Sequence, residues 1–450
     1  MTTGVFPPGP RSGLLSYFAL RRNPLDFMTR VARKHGPIVH LRVGKRHDYL
    51  LNRPDYIQKV LLAPEMSRSS ARPLRRLLGQ GVLTTTGDVH RAQRRTLQPL
   101  FHPQHIAHWG DVIVAAAART RARWRPDATI DIAEAMLALS QAIIVKLALG
   151  VESDADTRGL TPALRDVVEA VNKNTFPSLA ALFLPFPSPK AGMLERASTR
   201  VDGILAAIIA ERRASGHAGS DMLTEMLRIP DADGRAQMTD RELRDHAMTF
   251  MSAGHETIGN ALSWTWFLLA QHPAIEAEMH AELDEVLGGR LPNADDVPRL
   301  RVVEAVLKES MRLYPPVWVV ARRPVEDWPL GDYVIPAGAY LQACPYVTHR
   351  DPEYFEAAGS FTPHRWLAAG AATRYKSAYF PFAAGAYKCI GESLAWTEGI
   401  LIIATLAQAW AIRLVRPGYV AEPEAMITLR PKGGLPMTLR ARASSAVASA

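Results

Sequence analysis

Apolar residues recur at helical spacing along most of the chain, in long stretches at residues 130–150, 200–215, 240–272 and 302–313. Short runs with strand character are confined to residues 37–51, 317–346 and the tail from 412 to 439. The pattern predicts a mainly α protein with a smaller β part, assembled from both ends of the chain around a larger helical body. Its stops are explicit. Gly150 follows one apolar helix, and His272-Pro273 ends another, because proline lacks the amide hydrogen that a continuing helix needs.

Nothing in the composition separates folding units. The 33 prolines are scattered apart from clusters near the N-terminus and at residues 183–189, so one domain over residues 1–450 is expected, with flexible ends at 1–11 and 441–450. Apolar residues at 48% and charged residues at 22% suit a globular protein with a large core. The formal charge of +9 is spread among acidic residues, without a basic run interleaved with aromatics, and excludes no partner except nucleic acid. No segment shows a secretory signal or the length of a membrane span. Cys344 and Cys389 are too few for a disulfide scaffold, so a reducing cytoplasm is expected.

Cys389 stands in the glycine-flanked loop Phe382-Ala-Ala-Gly-Ala-Tyr-Lys-Cys-Ile-Gly391. A lone cysteine can be packing filler, a nucleophile or a metal ligand. Gly385 and Gly391 permit tight turns and the approach of a flat ligand, and Phe382 offers a shielding face. A helix starting near Glu392 and the neighbouring Lys388 both favour a thiolate. A nucleophile needs a partner base, which no local signature supplies. The pattern Phe-x-x-Gly-x-x-x-Cys-x-Gly resembles the haem loop of the cytochrome P-450 monooxygenases. That resemblance makes Cys389 the ligand of the iron in haem b (iron protoporphyrin IX), donating electron density that favours O–O cleavage. It implies a triangular helical body with a long central helix and small β-sheets. Tyr387 departs from it, since the family usually has a basic residue there that pairs with a haem propionate.

A helix over residues 240–271 would span about 48 Å and carries Ala253-Gly254-His255-Glu256-Thr257 at its middle. Gly254 can be a packing contact, or, beside a threonine that bonds the carbonyl of Ala253, part of a local distortion. The stretch looks like the family's oxygen-binding helix, with Thr257 orienting dioxygen and Glu256 as the acidic neighbour. His255 reads as structural, because Gly259 fills the last place of a His-Glu-x-x-His motif.

Glu309 and Arg312 lie three apart on one helix face, a spacing that usually means a solvated ion pair. By resemblance they join Arg365 in a buried network that holds the proximal side of the pocket. His90 and Arg94 share one face of a helix opened by Gly87-Asp88. The resemblance makes them, with Arg322, the cations for the haem propionates. Arg91 and Arg95 are left to attract an acidic ferredoxin or flavodoxin with its reductase. No flavin or iron-sulfur module of its own is visible.

Substrate would lie against Phe250 and Ala253, against Val317-Trp318-Val319-Val320, and against Met426-Ile427, each of which can equally be core. The apolar segment 175–189 is expected to form a lid suited to terpenoids or fatty acids. The expected reaction puts one oxygen atom of O2 into a C–H bond of a small hydrophobic molecule. Two rival readings are a zinc hydrolase built on His102, His105 and His108, which lack an acid partner and are interrupted by Pro103, and a non-catalytic carrier of hydrophobic ligands. Gly79-Gln-Gly81 lacks the rest of a phosphate loop and reads as a turn.

Overall fold

The computed structural model describes residues 6–43, 46–68, 72–152, 159–174, 191–216, 219–229 and 238–442. Its longer helices are α1 (Gly13–Arg22), α2 (Pro24–His35), α3 (Pro54–Leu62), α4 (Arg72–Leu78), α5 (Gly87–Leu97), α6 (Pro103–Arg123) and α7 (Ile132–Leu149). They continue with α8 (Leu160–Asn174), α9 (Ala191–Ser215), α10 (Met222–Arg228), α11 (Asp240–Gln271), α12 (Pro273–Leu287), α13 (Arg301–Leu313) and α14 (Glu392–Ala407).

Strands β1 (Ile38–Val43), β2 (Arg46–Leu51), β3 (Met66–Arg68), β4 (Thr129–Asp131), β5 (Val320–Pro324) and β6 (Trp328–Leu330) precede β7 (Tyr333–Ile335), β8 (Tyr340–Ala343), β9 (Trp410–Leu414), β10 (Pro423–Ala425), β11 (Leu429–Pro431) and β12 (Pro436–Ala441). The largest sheet runs β1-β2-β8-β5-β3 and does join the two ends of the chain. Its β2–β8 pairing is parallel and the others are antiparallel. A second sheet, β4-β12-β9, likewise pairs distant segments.

Local chemistry places the helix ends. Thr239 and Glu242 form a reciprocal capping box at the start of α11, and the helix stops at His272, ahead of Pro273. Asp131 caps α7 by accepting from the amides of Ala133 and Glu134, and Gly150 closes it in the left-handed region at φ 72°. This helix meets the length and apolarity of a membrane span, with a mean hydropathy of 1.8, contrary to the expectation that no segment does. Two thirds of it is buried inside the protein, because it forms one wall of the core.

That core gathers α6, α7, α11 and α14, with Ile113, Ile143, Trp264 and Leu401 fully enclosed. Gly254 and Gly259 are where α11 crosses α7. A Cβ at the first would lie 2.8 Å from Ile144 Cγ1, and at the second 3.0 Å from Leu137 Cα. The expected distortion around Gly254 is not present: α11 is an uninterrupted α-helix, and the glycine serves close packing. Gly79-Gln-Gly81 is the expected turn, and it is pinned to α11. Gln80 N donates to Asp245 Oδ2 at 2.7 Å, and Arg244 pairs with both Asp245 and Asp202 of α9.

On α14, nine residues after Cys389, Glu398 is 1% exposed and its Oε1 has no hydrogen-bond partner among the described residues. Burial alone raises its pKa from 4.5 to about 8. The native protein then holds a proton that the unfolded chain has lost, so stability is fullest below pH 4.5 and falls as pH rises toward 8, by about 1.4 kcal/mol per pH unit. Glu398→Gln is expected to match the parent at pH 5 and exceed it in denaturant midpoint at pH 8. Equal midpoints at both pH values would show that the carboxyl is not held neutral.

Candidate active site

The Cys389 loop folds back on itself: Cys389 N donates to Phe382 O and Lys388 N to Gly385 O, both at 3.0 Å. Ala383 and Gly385 both take positive φ, 57° and 71°. At Gly385 a Cβ would fall 2.1 Å from Leu61 O of α3, so both conformation and contact demand glycine. Gly391 differs from expectation, since its φ is −91° and a Cβ would meet only the Phe101 ring at 3.5 Å; no turn requires it. Phe382 packs edge-on against Trp396 of α14.

Cys389 is exposed as a residue, while its thiol is closely surrounded by protein. That crowding pushes its pKa up, the Gly391 amide pulls it down, Glu392 raises it, and Arg94 and Arg68 lower it. The expectation that Lys388 holds the thiolate fails, because its ammonium pairs with Glu392. Phe101 links this loop to α11: it lies beside Gly391 and meets the Phe250 ring edge-on at 5.6 Å.

On α11, Thr257 Oγ1 donates to Ala253 O at 2.7 Å, as its spacing predicts. Ala253 is exposed and Thr257 half-buried at the middle of a helix that is otherwise largely enclosed. Glu256 is buried and points elsewhere, since successive helical side chains diverge by about 100°. Its Oε2 accepts from Thr428 Oγ1 at 3.3 Å, and that hydroxyl accepts from Asn260 Nδ2 at 3.0 Å. Thr428 was not foreseeable from the sequence, because it reaches α11 from the other end of the chain. His255 is buried, and burial followed by Arg165 lowers its pKa to about 4, which keeps it neutral.

The propionate candidates converge. His90 is buried, with Nε2 unpartnered among the described residues and its ring 4.5 Å from that of Tyr387. Arg322 is buried with Nε and Nη2 unpartnered among the described residues, and its guanidinium carbon is 5.2 Å from the Tyr387 centroid. Arg94 Nη1 donates to Lys388 O at 2.5 Å. Arg68 of β3, which sequence reasoning missed, joins them, 4.9 Å from the same ring. None of the three arginines has a carboxylate partner among the described residues, and burial lowers the pKa of His90 to about 4, with Arg68 the next influence. A cofactor carrying two carboxylates and needing a sulfur ligand fits these residues.

The Glu309 network is fully satisfied. Its carboxylate accepts from Arg312 Nε and Nη2, Arg365 Nε, Thr362 N and Trp366 Nε1, all within 3.1 Å. Arg312 spends its remaining donors on the carbonyls of His349, Ala358 and Ser360. His349 Nε2 in turn accepts from Phe380 N, which anchors the approach to the Cys389 loop.

The apolar candidates divide. Trp318 packs in a second core with Leu25 and Phe27, its indole N–H donating to Met426 O at 2.9 Å, and Phe250 lies in the main core, so both are held by packing. Val319 and Val320 lean on the second and third clusters, whereas Val317 and Met426 are half-buried outside them, and Ile427 is half-buried against the main core. The expected lid at 175–189 lies outside the described residues. His102 caps α6, with Pro103 opening that helix instead of interrupting it, and His108 bonds Ser220 Oγ at 2.6 Å. No group of three metal-binding side chains occurs among the described residues. A cleft of about 840 Å³ is lined by His90, Arg91, Arg94, Arg95, Phe101 and Ala386, among others.

A fold of this kind, with an exposed loop cysteine beside arginines that lack carboxylate partners among the described residues, suits a haem-thiolate type of protein. The family described as Cytochrome P-450 matches residues 4–435, and the chain belongs to it. It is 35% identical to the cyclooctat-9-en-7-ol 5-monooxygenase of Streptomyces melanosporofaciens over 93% of this chain and 91% of that protein. It is 33% identical to cyclooctatin synthase of the same organism, over 91% and 90% of the two chains. Pentalenene oxygenase of Streptomyces avermitilis is 29% identical over 94% of both. The chain is an O2-dependent monooxygenase that uses haem, takes electrons from a redox partner and binds a small-molecule substrate.

Glu309→Ala is expected to leave two buried arginines without a counter-charge and to cost about 3–5 kcal/mol, read as a fall in the denaturant midpoint of the haem-loaded protein. A loss under about 1 kcal/mol, typical of a solvated pair, would contradict the buried network.

Proposed function

We propose that this enzyme inserts one oxygen atom into a C–H bond of a terpenoid, with haem b held by Cys389 as iron ligand and by His90, Arg94 and Arg322 at the propionates. The observation that carries this reading is the coincidence of an exposed cysteine with buried nitrogens of Arg322 and His90 that have no partner among the described residues. Bound there, haem supplies the activation of dioxygen, one atom entering the C–H bond and the other leaving as water with two electrons and two protons.

The chain's own residues manage position and protons. Thr257 Oγ1 commits its hydrogen to Ala253 O, which leaves its lone pairs to receive a hydrogen bond at the open face of α11. Glu256, tied to Thr428, is the proton reserve behind it. The Glu309 network fixes the segment that enters the cysteine loop. Val317, Met426 and Ile427 supply apolar contact. The names of the relatives speak of cyclooctat-9-en-7-ol and pentalenene, apolar carbon skeletons that such a surface suits.

Electrons come from a ferredoxin or flavodoxin in the cytoplasm. Arg91 and Arg95, exposed along the 840 Å³ cleft, provide part of the basic surface, although Arg91 is shared with Asp88. We read residues 1–450 as a single functional unit.

Cys389→Ser is expected to abolish the thiolate optical and electron-spin signature of the ferric protein; an unchanged signature would remove the basis of the reading. Thr257→Ala is expected to keep haem bound while product per electron pair falls and hydrogen peroxide rises. Parent-like coupling in that variant would assign the proton-handling role elsewhere.

A further inference from the structure

Most exposed large apolar side chains, such as Val89, Val325, Val334 and Val420, stand singly. Leu14, Leu15 and Phe18 instead share one helix, α1, with 56%, 70% and 51% of their surface open. At about 100° per residue, Leu14, Leu15, Phe18, Arg21 and Arg22 fall within an arc of about 120°. The other side of α1 is committed to the body of the protein: Ser16 and Tyr17 are buried, and a Cβ at Gly13 would lie 2.5 Å from Arg42 O of β1. Ahead of the helix, His40 N donates to Pro8 O at 3.0 Å and the Phe6 ring stacks on His40 at 4.5 Å. So held, α1 cannot roll its apolar face inward.

Charge indicates what meets this face. The first 25 residues hold three arginines, Arg11, Arg21 and Arg22, and no acid. All three are exposed. The first acid, Asp26, pairs with Arg30. Arg21 and Arg22 close the last turn of α1, and Arg11 directly precedes its cap, Ser12, so cations flank the apolar residues at both ends. Such a face suits the boundary of an anionic bilayer, with apolar side chains among acyl chains and guanidinium groups at the phosphates. A second copy of the chain fits less well. The open apolar area is on the order of a few hundred Å², against ~800 Å² per partner in a stable dimer, and a two-fold contact would set arginines against arginines.

We infer that α1 docks the protein on the surface of an anionic phospholipid bilayer without crossing it. Leu14, Leu15 and Phe18 enter the boundary, and Arg11, Arg21 and Arg22 meet lipid phosphates. Apolar carbon skeletons partition into the same layer, so docking brings enzyme and substrate together. That consequence rests on the function proposed above, whereas the docking itself does not, and vesicle binding is read apart from turnover.

The test is cosedimentation of the haem-loaded protein with sucrose-filled vesicles at low ionic strength. Binding is expected to vesicles of phosphatidylcholine mixed with phosphatidylglycerol, with little to phosphatidylcholine alone and release by added salt. Leu14→Ser, Leu15→Ser and Phe18→Ser combined keep every charge and are expected to weaken binding by roughly tenfold or more. Arg11→Gln with Arg22→Gln is expected to weaken it roughly thirtyfold; Arg21 is left in place because it also donates to Tyr17 Oη at 3.2 Å. A parent that ignores the anionic vesicles would overturn the inference. So would a triple serine variant that binds like the parent, since a general attraction of a basic chain would then suffice. A parent dimer in light scattering that the serine variant returns to monomer would give the face to a second copy and overturn it as well. If the triple variant lacks the parent's thermal midpoint, Leu15→Ser alone decides: weakened binding supports the docking, and parent-like binding overturns it.

Discussion

A buried charge must be met by an opposite one or by a full set of hydrogen bonds, and this molecule treats that requirement in two opposite ways. Around Glu309 the account is closed, with five donors on one carboxylate and every N–H of Arg312 placed. Around Tyr387 it stays open, with Arg322 and His90 carrying buried atoms that nothing within the described chain satisfies. The closed network belongs to the frame and the open one to the ligand. The contrast separates scaffold from site without reference to catalysis, because folding tolerates unmet cations only where something outside the chain completes them.

The two networks are physically joined. Arg312 holds the carbonyl of His349, the His349 ring holds the amide of Phe380, and two residues later the loop that presents Cys389 begins. Burial raises the His349 ring's resistance to protonation, its pKa falling to about 3, with Arg312 the next influence. A neutral ring that can accept from Phe380 N is therefore maintained at any physiological pH. The frame positions the sulfur through hydrogen bonds that do not titrate.

Much of this was legible in the chain because it is local. Glu309 and Arg312 are three apart, Thr257 and Ala253 four apart, and the loop from Phe382 to Gly391 is one continuous stretch, so spacing alone brings the groups together. The long helix and both β-forming ends follow from periodicity and proline. What escaped is tertiary. Arg68, Thr428, Trp366 and His349 act across large sequence separations, and no short-range pattern marks them. Trp318 and Phe250 show a related ambiguity: an apolar residue near a site is as well satisfied by core as by cavity, and both pack in core clusters. The role given to Lys388 failed because an acid four residues on, Glu392, claims its charge.

The main sheet places β2 and β3, within the first 68 residues, beside β5 and β8, at 320–343. Arg68 and Arg322 become neighbours only through that pairing. During synthesis the early strands must therefore wait, with their edges open, until about three quarters of the chain has left the ribosome. The pocket's positive end does not exist before then, and cofactor capture belongs to the last stage of folding, after the helical body has had time to collapse.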